Sequence, residues 1–344
     1  MFAIILNRQL LTGVDSVTQI ILGAAAGEAV LGRKVGNKAM LYGAIAGTIP
    51  DLDTLAGHFV DPVTAVEIHR GFTHSIFFSV LFAPVFGWMI SRIERRSPAD
   101  WRDWSWLMFF GLFTHPLLDS FTTWGTQLFW PLDIRLAFKS IFVIDPLYTI
   151  PFLIFLLMAM LSERGSKKRS KYNVLGILIS SGYLLLSLGL KGLAYMEFKT
   201  GLKDQGIEYL QLETKPSPLN TILWTANVEV NEAYLIGDYS FFDSQPISFK
   251  RYAKNHELLG GLRGAPDIQR LINITNGWFV ITKEKEELFF NDLRFGVLDP
   301  DKPTFVFSYR IIPEPDGVRI EEVKRRPAEA KQLMIDLGKR VSGN

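Results

Sequence analysis

The chain has 344 residues, which is long enough for two domains. Its hydrophobic content is 48%, with 26 Phe and 8 Trp, and this exceeds the content of most soluble domains. The formal net charge of +2 gives no indication of a nucleic-acid partner, and the absence of cysteine excludes disulfides, thiolate metal sites and thiol nucleophiles. The apolar run at the N-terminus is too short for a cleaved signal peptide, so none is predicted.

The first part of the chain contains stretches that predict membrane-spanning helices. Three of them carry no Asp, Glu, Lys, Arg or His and approach the roughly 20 apolar residues that cross a bilayer. Two shorter stretches are rich in Gly and Ala and could be short spans packed through small residues, or a hairpin that enters only part way. The six candidates are residues 16–32, 38–50, 75–91, 104–118, 146–162 and 172–190. We therefore predict an α-helical integral membrane bundle of about six spans within residues 1–195.

Basic residues are concentrated in alternate connections between these stretches, which predicts an orientation in the membrane. Because Lys and Arg are in excess on the cytoplasmic side, these connections are expected inside and both termini outside. The basic residues are Arg33, Lys34, Lys38, Arg92, Arg95, Arg96, Arg102, Arg164, Lys167, Lys168, Arg169 and Lys171. The same topology gathers polar residues from distant helix ends on the extracytoplasmic face. They are Asp15, Asp51, Asp53, His69, His74, His115, Asp119 and Asp145.

The composition changes after about residue 200. Polar and apolar residues alternate over 222–230, 277–282 and 304–309, which is typical of half-buried β-strands, and turn residues separate these runs. The tail from about Glu321 has a charged, helical pattern. We predict a small β-rich (α+β) soluble domain over residues 196–344, which the topology above makes extracytoplasmic.

Two pairs of residues have ligand-like spacing. His115 and Asp119 are four apart, so both project from one face of a helix and could bind one cation. The alternative is a pair at a helix end, with Asp119 capping the next segment. His69 and His74 are five apart, so they can share a cation only from a turn that wraps it, for which Gly71 would allow the bend. Simple polar residues at the level of the lipid headgroups are the alternative for this pair.

Three further carboxylates could contribute to the same site. Asp51 and Asp53 cannot share a helical face, so one is expected to bind the cation while the other orients a histidine. A helix cap is the alternative for these residues and for Asp15, and Asp145 before Pro146 resembles a helix start. The residues expected to take no part in the site are Glu28, which we interpret as a packing group, His58 and His256.

Imidazole and carboxylate ligands without thiolate favour zinc, with manganese or iron as alternatives, and a site rich in Asp can hold one or two ions. Such divalent ions lower the pKa of bound water and stabilise the transition state of a hydrolysis. Arg70, Arg135 and Lys139 are the basic residues near this face, and they could bind an anionic group such as phosphate. Ordinary contact with lipid headgroups is the alternative for all three.

Four motifs in order resemble the YdjM-like integral membrane proteins. The motifs are Asp15-Ser16-x-Thr18, Pro50-Asp51-x-Asp53, His69-Arg70-Gly71-x-Thr73-His74 and His115-Pro116-x-x-Asp119. The resemblance covers roughly residues 14–190 and implies a bacterial inner-membrane protein of the metal-dependent hydrolase type. It also implies a distant similarity to the zinc-dependent phospholipase C and P1 nuclease group, in which His115, Asp119, Asp53 and His74 would match zinc ligands. The later His and H-x-x-x-E ligands of that group have no counterpart here.

The resulting hypothesis is a multi-pass, membrane-bound, metal-dependent hydrolase that contacts membrane lipids and cleaves a phosphoester, of a lipid, at the extracytoplasmic face. The predicted metal ligands are Asp53, His69, His74, His115 and Asp119. Asp51 or Asp15 would act as general base, and Arg70 would hold the phosphate. One alternative is a metal-free histidine phosphatase of lipid phosphates, although its accompanying Ser-Gly-His segment is missing. Another is a non-enzymatic metal-binding transporter or scaffold.

Overall fold

The structure is a computed structural model, and it describes residues 8–299, 304–315, 317–323 and 330–344. Its first part is helical. The helices are α1 (Arg8–Val35), α2 (Asn37–Thr48), α3 (Asp53–Ala56), α4 (Pro62–Ile68), α5 (Ile76–Ile93), α6 (Trp101–Asp119), α7 (Pro146–Met160) and α8 (Lys167–Asp204). Short 3-10 turns at Pro50–Leu52, Gly57–Phe59 and Phe72–His74 connect some of them.

Capping residues define where the longer helices begin. Ser75 accepts a hydrogen bond from the backbone N–H of Phe78 at the start of α5, and Asp145 accepts one from Leu147 at the start of α7. Asp100 and Asp103 form a reciprocal capping box at the start of α6. Each cap satisfies backbone N–H groups that have no partner within the helix, so these polar side chains set the boundaries of strongly apolar segments.

The prediction of about six membrane spans is wrong. Among the described residues, only α5 and α8 are both long and apolar enough to cross a membrane. The 12 residues of α2 and the 15 of α7 extend about 18 and 22 Å, short of the roughly 30 Å hydrocarbon layer. The structure instead has a helical N-terminal region followed by two antiparallel sheets. The loop-charge argument depended on six spans, so the orientation that it gave stays a prediction.

Helices α1 and α2 approach closely through glycines. A Cβ atom added to Gly43 would lie 2.2 Å from the carbonyl oxygen of Gly23, and one added to Gly27 would lie 2.2 Å from that of Ala39. Gly47 meets the carbonyl oxygen of Gln19 in the same way, at 2.4 Å. The small residues therefore permit backbone contact between the two helices, as in small-residue packing of membrane helices.

Several helix ends meet on the side of the helical region where most of the basic loops lie, and we call this side the basic end. Ion pairs join these helix ends. Lys34 of α1 binds Asp103 at 2.7 Å, and Lys38 of α2 binds Glu94 after α5. Arg169 at the start of α8 donates Nε–H to Glu28 at 2.6 Å, so Glu28 is a buried packing group of α1 as predicted. The contacts place the ends of five helices together on one side of the helical region.

The second part of the chain forms two four-stranded antiparallel sheets, each with its strands in sequence order. The first contains β1 (Gln211–Pro216), β2 (Leu223–Val230), β3 (Ala233–Ser240) and β4 (Phe249–Ala253). The second contains β5 (Phe279–Glu284), β6 (Glu287–Asp299), β7 (Thr304–Glu314) and β8 (Gly317–Glu322). Helices α9 (Pro266–Ile274) and α10 (Ala330–Val341) accompany them. The predicted domain boundary after residue 195 falls inside α8.

Both sheets pack against the helical region at the end opposite the basic end. The last turns of α8 bury Phe198 and Leu202 against β2 and β3 of the first sheet. The second sheet packs against α4, where Arg270 of α9 binds both carboxylate oxygens of Glu67, at 3.0 and 2.6 Å. Trp124, in the connection after α6, contacts the rings of Phe295 and Phe307. The sheets therefore lie beside the turns that follow α2 and precede α5.

We predict that Gly43→Ala destabilises the protein by about 1–3 kcal/mol, because the new methyl group must push α1 and α2 apart. The matched control is Gly189→Ala in α8, whose added Cβ meets no atom within 4 Å. The control should be neutral or stabilising by up to about 1 kcal/mol. Thermal unfolding of the detergent-purified variants measures both effects, and equal melting temperatures for the two would contradict the close-packing argument.

Candidate metal centre

Three short segments place four ionisable side chains in one cluster, which we call the metal centre. Asp51 lies on the 3-10 turn after α2, and His74 ends the 3-10 turn before α5. His115 and Asp119 lie in the last turns of α6, four residues apart on one face. His74, His115 and Asp119 are buried, and the Asp51 side chain is 12% exposed. These four residues could hold a metal ion.

The two imidazole nitrogens lie at similar distances from each other and from the two carboxylate oxygens. Nε2 of His74 lies 3.1 Å from Nε2 of His115 and 3.3 Å from Oδ1 of Asp51. Nε2 of His115 lies 3.4 Å from the same Asp51 oxygen, and Oδ2 of Asp119 is 3.5 Å from both imidazole nitrogens. All four atoms lie within 4.8 Å of one another. Four ligands at such separations can surround a single small cation.

The outer nitrogen of each imidazole faces an oxygen. Nδ1 of His115 lies 2.6 Å from the carbonyl oxygen of Gly47, which can only accept, so Nδ1 carries the proton. Nδ1 of His74 lies 3.1 Å from Oγ1 of Thr73 and 3.4 Å from a carboxylate oxygen of Asp53. With Nδ1 protonated on both rings, the two Nε2 atoms point into the centre and are the ones that could bind a metal ion. A backbone carbonyl and a carboxylate are the usual partners of metal-bound histidines.

Asp53 and His69 lie next to the centre rather than inside it. Oδ1 of Asp53 is 3.0 Å from Nδ1 of His69, and Oδ2 accepts hydrogen bonds from the Arg70 backbone N–H and from Thr73. The carboxylate thereby fixes both the turn and the orientation of His74. The sequence assigned ligation to Asp53 and the general-base role to Asp51, whereas the structure places Asp51 in the cluster and Asp53 behind a histidine. Ligation by Asp53 and His69 stays a prediction.

Arg70 and Gln19 hold Asp119 from two sides. Nε of Arg70 is 2.9 Å from Oδ2 of Asp119, and its Nη1 donates to Thr122 at 2.9 Å. Gln19 of α1 donates to Oδ1 of Asp119 at 2.7 Å and to the backbone oxygen of His115 at 3.3 Å. Sequence reasoning did not find Gln19, although a polar amide in an apolar helical stretch was a signal for it. The buried Arg70 guanidinium is engaged with a cluster carboxylate, and its predicted role toward phosphate stays a prediction.

The electrostatics of the centre favour a bound positive charge. Burial would lower the pKa of His74, but hydrogen bonding to Asp119, Asp51 and Asp53 outweighs burial and raises that pKa to about 9. Burial would likewise raise the pKa of Asp51, but the imidazoles of His115 and His74 hold it well below its usual range. The carboxylates thus stay ionised and stabilise a cation between the rings, whether that cation is a proton or a metal ion.

The other residues considered from the sequence lie elsewhere. Asp15 falls within α1 rather than at its start, and its side chain lies outside the described residues. Asp145 caps α7 and accepts a hydrogen bond from Tyr183 at 2.7 Å, which confirms it as a helix start. His58 is exposed and contacts the carbonyl oxygen of Thr54. His256 stacks on a Phe ring of the second sheet. Neither histidine belongs to the four-residue cluster found among the described residues.

A family model described as YdjM inner membrane protein matches residues 14–194, which is just over half of the chain. The chain belongs to this family. The match confirms the resemblance to YdjM-like proteins and the inner-membrane character that it implied. No curated protein and no solved structure matches the chain. The hydrolase activity and the similarity to the phospholipase C and P1 nuclease group stay predictions.

All four residues of the metal centre fall within the YdjM match, together with Asp53, Arg70 and Gln19, which support them. The match ends within α8, so both antiparallel sheets lie outside it. The part of this YdjM protein that carries the centre is therefore the part that defines the family. The sheets are an addition to that part in this chain.

We predict that the purified protein contains a divalent metal and that His115→Ala removes it, because the variant lacks one of four ligands and the link to Gly47. His58→Ala is the matched control, since that imidazole is exposed and distant. Elemental analysis of detergent-purified samples measures the metal content. Equal metal in the parent and the His115→Ala variant would refute the metal centre.

We predict that Asp53→Asn keeps the metal but weakens its affinity by about 10- to 100-fold, as loss of a carboxylate behind a metal-bound histidine does in other proteins. The change preserves shape while removing the charge that orients His74. Competition with a chelating dye measures the affinity. An affinity equal to that of the parent would show that Asp53 only holds the turn.

Proposed function

We propose that the chain is a membrane-bound, metal-dependent hydrolase that cleaves a phosphoester. The observation that supports it most directly is the meeting of two imidazole lone pairs at 3.1 Å beside two carboxylate oxygens. Without a cation these atoms would repel one another in a buried setting, where uncompensated charge is costly. A cation at their centre removes the repulsion and satisfies all four.

The distances fit a small divalent ion. Tetrahedral ligands at about 2.0–2.1 Å from zinc are separated from one another by about 3.3–3.4 Å. The separations that involve at least one imidazole nitrogen range here from 3.1 to 3.5 Å. Two imidazoles and two carboxylates suit zinc, and also manganese or iron. Asp51, His74, His115 and Asp119 would hold the ion, with zinc as the proposed identity.

A metal ion bound here would lower the pKa of a bound water and stabilise the negative charge that develops during hydrolysis. Neighbouring residues of the chain orient the side chains that would bind the ion. The Gly47 carbonyl and Asp53 keep the Nε2 atoms of both histidines directed inward. Arg70 and Gln19 fix Asp119 in place. The partly exposed Asp51 lies on the open side of the cluster, where a substrate would arrive.

A lipid is the proposed source of the phosphoester. The turns beside Asp51 expose large apolar side chains, with Leu52 at 55%, Leu55 at 58% and Phe59 at 89% exposure. Exposed apolar residues of this size favour contact with a membrane rather than with water. The family is an inner-membrane family, so the protein is close to a lipid bilayer. The centre would then receive its substrate from the membrane surface.

The proposal places the centre on the extracytoplasmic side. Basic residues from three helix ends, Lys34, Lys38 and Arg169, meet at the basic end, away from the centre, and positive residues face the cytoplasm in inner-membrane proteins. This argument uses the clustering of helix ends in space and does not depend on a count of spans. The two sheets lie at the end of the centre, so they would be extracytoplasmic as well.

A structural metal site is the second candidate. Four protein ligands with three fully buried members are typical of closed structural zinc sites, whereas catalytic sites keep a position for water. In that case the ion would link α2, α6 and the turn before α5 and would take no part in a reaction. A metal-free histidine phosphatase is less favoured, because both imidazole Nε2 atoms are enclosed by carboxylates rather than directed at an open pocket.

The test is a hydrolysis screen with phosphomonoesters, phosphodiesters and phospholipids on the detergent-purified, metal-loaded protein. We expect hydrolysis of at least one class, its loss after chelation, and its recovery on addition of zinc. His115→Ala should reduce the rate to that without enzyme, whereas His256→Ala, whose ring stacks on Phe279 of the second sheet, should leave it unchanged. Melting curves of the chelated protein distinguish the two candidates. A large loss of melting temperature with no activity on any substrate would establish the structural role and refute the hydrolase.

A further inference from the structure

Arg135, in the connection between α6 and α7, has few partners for a guanidinium. Its Nη1 and Nη2 atoms each lie 3.4 Å from one acceptor, the backbone oxygen of His69. Within the part of the chain that the structure describes, Arg135 makes no other hydrogen bond and no ion pair. A guanidinium has five N–H donors, so two long contacts to one carbonyl oxygen leave most of them unused.

Two other arginines lie near Arg135, and both are compensated. Arg70 binds Asp119 at 2.9 Å, and Arg294 of β6 binds Asp292 through Nη2 at 2.8 Å. Burial, with repulsion from Arg294 and Arg70, lowers the pKa of Arg135 to about 10. Three guanidinium groups thus share this region with two carboxylates that are paired with them. One positive charge is left without a direct counter-charge among the described residues.

The nearby carboxylates do not fill this gap. Asp133 is exposed and accepts a hydrogen bond from Gln127 at 3.2 Å, and it makes no ion pair with Arg135. Asp133 and Asp53 attract Arg135 through space, but the Asp53 oxygens contact His69, the Arg70 backbone and Thr73 and not the guanidinium. A partly buried cation without a directly bound anion destabilises the folded protein. The arrangement therefore points to an anionic ligand that the chain itself does not supply.

The location connects this cation to the metal centre. Arg135 contacts the backbone of His69, whose ring centroid is 6.0 Å from that of His74 in the cluster. On the other side, the ring of Trp124 lies 5.6 Å from the His69 ring and 5.4 Å from the guanidinium carbon of Arg294. The helical region and the second sheet thus meet around the uncompensated charge, next to the centre.

We propose that Arg135 is the anion-binding residue of this protein and that it takes a phosphate group of the substrate. A guanidinium matches the paired oxygens of phosphate and binds them through parallel N–H···O bonds. The link to hydrolysis rests on the function proposed above, whereas the binding of phosphate does not. The phosphate can belong to a lipid headgroup or to a free anion, since the recognition chemistry is the same. Arg294 places the second sheet at the edge of this binding site.

The test is calorimetric titration of inorganic phosphate into chelator-treated, detergent-purified protein, so that no metal can bind the anion. We expect Arg135→Gln to weaken binding by about tenfold or more, as loss of charge-assisted hydrogen bonds does. Arg135→Lys keeps the charge but cannot form two parallel hydrogen bonds, so its phosphate affinity should lie between those of the parent and Arg135→Gln. Arg96→Gln is the matched control, because Arg96 is exposed near the basic end, and its affinity should equal that of the parent. Unchanged affinity in Arg135→Gln, or no binding by the parent, would overturn the proposal.

Two further measurements separate binding from folding and from catalysis. Without phosphate, Arg135→Gln should melt at or above the melting temperature of the parent, because it removes an uncompensated charge. A clear fall would assign Arg135 a structural role and overturn the proposal. Titration with a short-chain phosphatidate identifies the source of the phosphate, and diacylglycerol, which lacks phosphate, is its control. Tighter binding of phosphatidate than of inorganic phosphate supports a lipid headgroup. Binding of inorganic phosphate but not of phosphatidate supports a free anion. A protein that binds phosphate through Arg135 but hydrolyses nothing would refute only the proposed hydrolase.

Discussion

Two carboxylates and two imidazoles buried within a few ångströms of one another impose a constraint that the surrounding structure has to satisfy. Ionisable groups in an apolar helical region are stable only when their charges and hydrogen-bonding atoms are compensated. Here Gly47, Asp53, Arg70 and Gln19 contact the cluster residues from the outside. Inside it, the lone pairs converge on one point. The protein fold therefore brings together four side chains that could hold a cation.

The packing of α1 on α2 makes that arrangement possible. Glycines at the crossing remove the side chains that would separate the helices, and the same close approach brings Gln19 of α1 and the Gly47 carbonyl of α2 to the histidine and aspartate of α6. The contact is therefore both a packing device and a support for the centre. A substitution that widened the crossing would displace both the Gln19 amide and the Gly47 carbonyl, and these two groups orient the ligands.

The second sheet contacts elements that lie next to the metal centre, which a separate domain would not do. It packs on α4, which lies between Asp53 and His69 in the chain, and Trp124 joins it to the His69 ring. Arg294 extends positive charge from β6 toward Arg135. A region outside the family match thus contributes to the electrostatics around residues inside it. The second sheet therefore places a positive charge close to Arg135.

The sequence alone determined the residue types, the ligand-like spacing of His115 and Asp119, the family, and the change to β structure after residue 200, because these depend on local pattern and motif. It did not determine the number of spans, since short apolar helices in a packed bundle have the same composition as membrane spans. Nor could it decide that Asp51 enters the cluster while Asp53 stands behind His74. Residues two apart have the same local signal, and only the three-dimensional path of the turns after α2 and before α5 directs one inward and the other toward the imidazole.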